Sequence, residues 1–211
     1  MNVAEFIAIC PRVYHAASAL AWPSIQEHGL LSTARLLDHF GVDLNRRHEL
    51  LTRPRTESTR LISPGLSPAV IRDQKPMKFL AEKLEPGTSL EDFLAAINSR
   101  VFFWPNRDRL DRLRNAKEYR AEGQVILHVD TRKLVERYEH HIQLCRFNSG
   151  AVTQRNHPLR SRDSWVPISR FPYEEYRRKH GRQNALAEVT VLDSVPDVVE
   201  LTVELEERPA G

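Results

Sequence analysis

ALAEVTVLDSVPDVVELTVELE, residues 185–206, holds two apolar, β-branched runs in immediate succession, joined across Ser194-Val195-Pro196-Asp197. Such runs, bounded by Ser, Pro and Asp, read as strands, and no helix-length segment separates them. Upstream, strand-like and helix-like segments alternate. QVILHVD (124–130) reads as a strand, TRKLVERYEHH (131–141) as a helix capped by Thr131, and IQLCRF (142–147) as a further strand. Alternation early and strands paired late argue for an α+β domain over a doubly wound parallel sheet.

Working outward, VAEFIAI (3–9) is a short helix stopped by Pro11, and RVYHAA (12–17) a short strand. Trp22-Pro23-Ser24 opens a helix that Gly29 ends, because Pro suits a first helical turn and Gly a C-terminal stop. LLSTARLLDHFG (30–41) carries apolar residues at helical spacing. Residues 44–68 are polar, with Arg53, Arg55 and Arg60 among Ser, Thr and Pro, and read as a long loop or a frayed helix and loop. Thr88-Ser89-Leu90-Glu91-Asp92 is a capping signal for the helix FLAAINS (93–99). VFFW (101–104) follows as a buried strand, RDRLDRLRNAKEYRAEG (107–123) as an amphipathic helix and YEEYRRKHG (173–181) as a short one.

No stretch reads as a linker, so residues 1–211 are expected to form one domain. A chain of this length buries roughly 70% of its unfolded surface and needs neither disulfide nor metal to hold a core. Cys10 and Cys145 form no metal or redox spacing and read as plain thiols in a reducing compartment. The opening MNVAEFIAICPRVYH lacks the features of a secretory leader. No apolar run approaches the ~18 residues of a membrane span, so a cytoplasmic protein without a membrane partner is expected. Net charge is +3 but uneven: residues 100–182 hold 19 basic against 10 acidic residues, whereas residues 183–211 hold one basic against seven acidic. That asymmetry fits either a face that meets phosphates or a solvated Arg-rich surface.

Nine histidines show no zinc-binding spacing, eight glycines no phosphate loop, and no G-x-S-x-G elbow is present. Metalloproteases, P-loop enzymes, Rossmann dehydrogenases and serine hydrolases are therefore disfavoured. What remains is a set of polar residues at strand ends. His15, after Tyr14, ends the first strand, a position usually structural. Phe102-Phe103-Trp104 would be core in most proteins, yet the run ends in Pro105, Asn106 and Arg107, a cationic turn suited to a stacking wall beside a phosphate. Asn148-Ser149-Gly150 is ordinary turn chemistry. Glu188 stands apart, because a carboxylate in the apolar strand LAEVTVL is costly unless paired or used, and unremarked only if it faces solvent.

Three segments resemble the DarT-type ADP-ribosyltransferases or a bacterial group related to them. RVYHAASALAWPSIQEHGLLS (12–32) is similar to their opening strand, histidine segment, helix and GLL motif. VFFWPNRDRL (101–110) resembles their aromatic strand and Asn-Pro-Arg turn, with Pro and Asn exchanged. ALAEVTVLDSVPDVVELTV (185–203) resembles their late strand carrying the catalytic glutamate. The resemblance covers about a quarter of the chain, in the same order. It implies an ADP-ribosyltransferase-like fold, a central mixed or antiparallel split β-sheet flanked by helices, and NAD as substrate. Glu188 would hold the nicotinamide ribose, His15 would lie on the adenosine side, and Phe103 and Trp104 near the nicotinamide. Tyr14, Asn106, Asn148 and Ser149, in or beside the same strand ends, complete the expected cofactor contacts. The family's arginine has no secure match; Arg72 is expected to serve, with Arg60 behind it.

The implied function is an NAD-dependent ADP-ribosyltransferase, a toxin or defence protein with an antitoxin partner and single-stranded DNA or RNA as acceptor. Arg107, Arg109, Arg112, Arg114, Arg155, Arg160 and Arg162 would border the cleft mouth. Two alternatives share the fold: an RNA 2′-phosphotransferase, which relies on arginines instead of a glutamate, and a non-catalytic nucleotide-binding module.

Overall fold

Residues 1–115 and 121–209 are described in a computed structural model of the chain, and local signals account for most of its elements. Helix α1 (Val3–Ile9) starts at Asn2, whose side chain accepts the Glu5 N–H while the Glu5 carboxylate accepts that of Asn2. Strand β1 (Arg12–Ser18) follows Pro11, which cannot continue a helix. Helix α2 (Trp22–His28) has Pro23 in its first turn and stops at Gly29, in the left-handed region with φ 71°. The short strand β2 (Leu30–Leu31) leads to α3 (Thr33–His39), capped by Ser32, and α4 (Leu44–Thr52), capped by Asp43.

The polar segment 44–68 is thus a capped helix, followed by strand β3 (Thr59–Leu61), which pairs with β4 (Ala69–Ile71). Leu50, Leu61, Ala69 and Ile71 bury themselves with Leu37 and Phe40 in a small core of their own. Ser89 and Asp92 form the expected capping box on α5 (Leu90–Asn98), which runs into β5 (Arg100–Phe103). Of the helix expected over 107–123, residues Arg107–Arg114 form α6 and residues 121–123 are not helical; residues 116–120 lie outside the described residues. Strand β6 (Gln124–Asp130) leads into α7 (Thr131–Tyr138), capped by Asp130 instead of Thr131, because the Asp130 carboxylate reaches the Lys133 N–H.

Strands β7 (Ile142–Cys145) and β8 (Val166–Pro167), helix α8 (Tyr173–His180) and strands β9 (Glu188–Leu192) and β10 (Ser194–Val195) follow. The final stretch, expected as one strand, divides into helix α9 (Val198–Leu201) and strand β11 (Thr202–Arg208).

The molecule is α+β. Two sheets, β1–β6–β11 and β5–β9–β7–β8, are accompanied by the pairs β10–β2 and β3–β4. Every pairing of named strands is antiparallel; the one parallel contact among the described residues is an isolated bridge between Leu84 and Arg160. The last two expected strands do not pair late: β9 lies between β5 and β7, and β11 borders β6. Tyr14 and Trp104 exchange N–H···O=C bonds of 2.9 and 2.7 Å, which join β1 to the end of β5 and so tie the two sheets together. Val13, Leu127 and Val129 from one sheet and Val101, Leu144, Val189 and Val191 from the other share an apolar core with Phe6 of α1 and Leu134 of α7. No helix among the described residues is long and apolar enough to cross a membrane.

Candidate functional site

A cleft of about 340 Å³ opens where β1 and β5 are bridged. His15 reaches it from β1, Phe103 and Trp104 from the end of β5, and Glu188 from the start of β9. Asn148 and Ser149 enter from the turn after β7, and Arg72 from the residue after β4. Tyr14 and Asn106 do not reach it. Side chains alternate along a strand, so Tyr14 points to the other face from His15. There it packs edge-on to His128 at 4.9 Å and lines a separate depression with Asn106 and Arg107. The Asn106 side chain accepts the Arg109 N–H at 3.1 Å and so holds the start of α6. Arg60 is exposed on β3, outside the cleft.

Glu188 pairs in register with Cys145 and is only 4% exposed. Its Oε1 accepts the Ser149 N–H at 2.8 Å and the Ser149 hydroxyl at 3.0 Å; its Oε2 accepts the Trp165 indole N–H at 3.2 Å. A carboxylate offers about four acceptor positions, so one remains on Oε2. Burial pushes the Glu188 pKa up to about 7, against the pull of these donors and of Arg160. Trp165 is itself clamped, stacked on Phe93 at 5.7 Å and covered by the Arg100 guanidinium at 4.3 Å.

His15 Nδ1 lies 2.8 Å from the Phe102 carbonyl. A carbonyl can only accept, so Nδ1 carries the hydrogen and Nε2 the lone pair. Burial lowers its pKa to about 4, with Arg72 adding to the shift, and the ring is neutral near pH 7. Its edge meets Phe103 at 5.8 Å.

The cleft also holds a cation that sequence reading passed over. Arg55 donates to the Leu50 carbonyl at 2.7 Å, to Asn98 Oδ1 at 3.1 Å and to the Arg72 carbonyl at 3.2 Å. Burial lowers its pKa to about 10, which leaves it charged at neutral pH. Its segment reads as a long loop or a frayed helix and loop because the polar composition conceals the α4–β3–β4 core that holds it. Trp165 carries no signal in the sequence for a related reason, since it stands in a polar stretch that resembles a solvated loop, and Arg160 of the same stretch, expected at the cleft mouth, is buried instead.

A family model described as "Family of unknown function (DUF7002)" matches residues 11–202. The chain belongs to that family. No curated protein matches it. The span shared with DUF7002 runs past both ends of the cleft, from before His15 to beyond Glu188.

In this DUF7002 chain five of the seven expected arginines are engaged within the chain. Arg107 is held by Glu206 and Asp111, Arg114 by the same two, and Arg155 by Glu82. Arg109 donates to Gln183 O and Asn184 Oδ1, and Arg160 is 1% exposed. Arg112 and Arg162 are exposed, and none of the seven expected arginines lines the cleft. His128, Glu204 and Glu206 form a second cluster with ligand atoms within 4.8 Å of one another. Its carboxylates flank opposite edges of one imidazole, Glu206 at 2.6 Å from Nε2 and Glu204 at 3.4 Å from Nδ1. Arg12, Arg107 and Arg114 neutralise them, so the cluster is an ion-pair ladder, not a set of donors converging on one metal.

Proposed function

We propose that the chain has an ADP-ribosyltransferase-like fold and is an NAD-dependent ADP-ribosyltransferase whose catalytic carboxylate is Glu188. The observation that carries this reading is the meeting of Glu188, Trp104 and His15 in one cleft, from three strands far apart in the chain. Its volume lies at the lower end of the ~300–1,000 Å³ of ligand clefts. Trp104 and Phe103 offer an aromatic wall, neutral His15 a hydrogen-bond acceptor at Nε2, and Arg55 and Arg72 positive charge for a pyrophosphate.

In the reaction the bond between ribose C1′ and the nicotinamide nitrogen breaks, and its electron pair leaves with neutral nicotinamide. Positive charge gathers at C1′ in an oxocarbenium-like state. The Glu188 carboxylate, accepting a hydrogen bond from a ribose hydroxyl at its remaining Oε2 position, stabilises that charge. An acceptor nucleophile then attacks C1′ and loses its proton to solvent or to a base. A single-stranded nucleic acid is the proposed acceptor, since its bases are exposed.

Two measurements test this. NAD at a hundredfold excess over Kd should stabilise the protein by about 2.7 kcal/mol in thermal melts. Glu188→Gln should keep that shift and lose nicotinamide release by on the order of a hundredfold or more. Binding without release in the wild type, with or without 2′-phosphorylated RNA, would assign a nucleotide-binding module instead. A second reading, RNA 2′-phosphotransfer, is favoured by three arginines in the cleft, Arg55, Arg72 and Arg100. It predicts NAD consumption only with 2′-phosphorylated RNA, and Glu188→Gln as active as the wild type.

A further inference from the structure

Arg160 stands in a polar stretch, yet it is among the largest fully buried side chains of the described residues, 1% exposed. Its backbone is tied on both sides to the segment before α5, donating to the Lys83 carbonyl at 2.7 Å and accepting the Glu85 N–H at 2.8 Å. Its guanidinium lies 4.1 Å from the Phe147 ring centroid and donates to the carbonyls of Asn148 at 3.2 Å, Ser149 at 3.4 Å and Ala151 at 3.0 Å, and to that of Pro158. All four acceptors are neutral. Burying a guanidinium against neutral partners costs several kcal/mol unless good geometry and hydrogen bonds offset it, so its placement calls for a reason.

The Asn148 carbonyl and the Ser149 N–H belong to one peptide unit. That unit is planar and trans, so its C=O and N–H point in opposite directions. Arg160 takes the carbonyl side, and Glu188 Oε1 takes the N–H side at 2.8 Å. A single peptide dipole is thus held between a buried cation and a buried carboxylate, aligned with both. Three carbonyls drawn to one guanidinium fix the turn that also delivers the Ser149 hydroxyl to the same oxygen.

We propose that Arg160 is a positioning residue for Glu188, acting through the Asn148–Ser149 peptide to aim and polarise the N–H that holds the carboxylate. The role rests on Glu188 being the working carboxylate of the cleft. Other groups near Glu188 are Arg100 above Trp165, Arg109 and the Cys145 thiol, which is pushed up by burial.

The test is carboxyl and amide NMR of the full chain with no NAD present. In the wild type the Ser149 amide proton should titrate with the same midpoint as the Glu188 carboxyl. Arg160→Lys keeps the charge but loses the fork. It should leave Ser149 N–H exchanging at least tenfold faster and shift the Glu188 midpoint upward; Arg160→Gln should shift it further, by on the order of one pH unit. With NAD, Arg160→Lys should lower kcat at least tenfold with little change in NAD Kd. A Ser149 amide that ignores Glu188 ionisation in the wild type overturns the proposal even if both variants unfold. So does a folded Arg160→Lys with unchanged Glu188 midpoint and Ser149 exchange. A wild type that titrates as expected but releases no nicotinamide overturns the transferase reading and leaves this link in place.

Discussion

An added Cβ on Gly29 would lie 2.3 Å from the Pro196 carbonyl oxygen, at a φ of 71° that L side chains rarely adopt. The three nearest atoms are all Pro196 backbone, so none can rotate away. Gly29→Ala should cost about 2 kcal/mol or more in denaturant unfolding, and a wild-type midpoint would show that the α2–β10 contact yields. His15 and Glu188 carry opposite pH signatures. His15, lowered from 6.5 to about 4, contributes stability that is present above pH 6.5 and lost as pH falls through 4. Glu188, raised from 4.5 to about 7, contributes stability that is full below pH 4.5 and lost as pH rises through 7. Between pH 4.5 and 6.5 the two oppose each other. Glu188→Gln removes one of them. Its melting temperature should fall on acidification across that window more steeply than the wild type's, and should match or exceed it at pH 8. Facing donors, the new amide and the Trp165 N–H, would reduce that gain. Parallel melting curves for the two proteins would mean that Glu188 is not perturbed in this way.

Among the elements, α5 and α7 show how far a cap is readable. Ser89 was legible because its box with Asp92 lies within one helical turn, three residues apart. The sequence points to Thr131 as the α7 cap, but Asp130 holds the Lys133 N–H, and the Thr131 hydroxyl is buried without a partner. Asp130→Ala should cost about 1 kcal/mol, whereas Thr131→Val should be neutral or stabilising, since it removes an unsatisfied buried oxygen at constant shape. Equal losses in chemical denaturation would restore Thr131 as the cap. Helix α4 was legible only as one of two alternatives and the β3–β4 pair not at all: their apolar residues are few and face a core assembled from α3 and both strands. Strands β2 and β10 have two residues each, too few to show any period.

At the scale of the whole molecule, ion pairing redistributes the basic surplus. Binding of a labelled single strand should weaken with salt at a log–log slope of about −0.7 per phosphate contacted. Arg112→Ala combined with Arg162→Ala should flatten that slope, while Arg107→Ala should change it little, because Glu206 and Asp111 already hold Arg107. A salt-independent affinity, or the reverse ranking of the variants, would move the acceptor to a protein.

Elements whose signals are local can be read directly along the chain: the capping box of α5, the β-branched strands, Pro23 and Gly29 at the ends of α2, and the oddity of a carboxylate in the strand of Glu188. These follow from contacts within a turn or from alternation along one strand. That Glu188 faces inward, that Tyr14 faces away from His15's cleft and that Arg160 is buried follows from the assembled fold alone. Glu188 meets Ser149 across 39 residues and Trp165 across 23, and Arg107 meets Glu206 across 99. Hydrogen bonds over such separations form only once the strands that carry them have paired, and the residues flanking either partner do not encode that pairing.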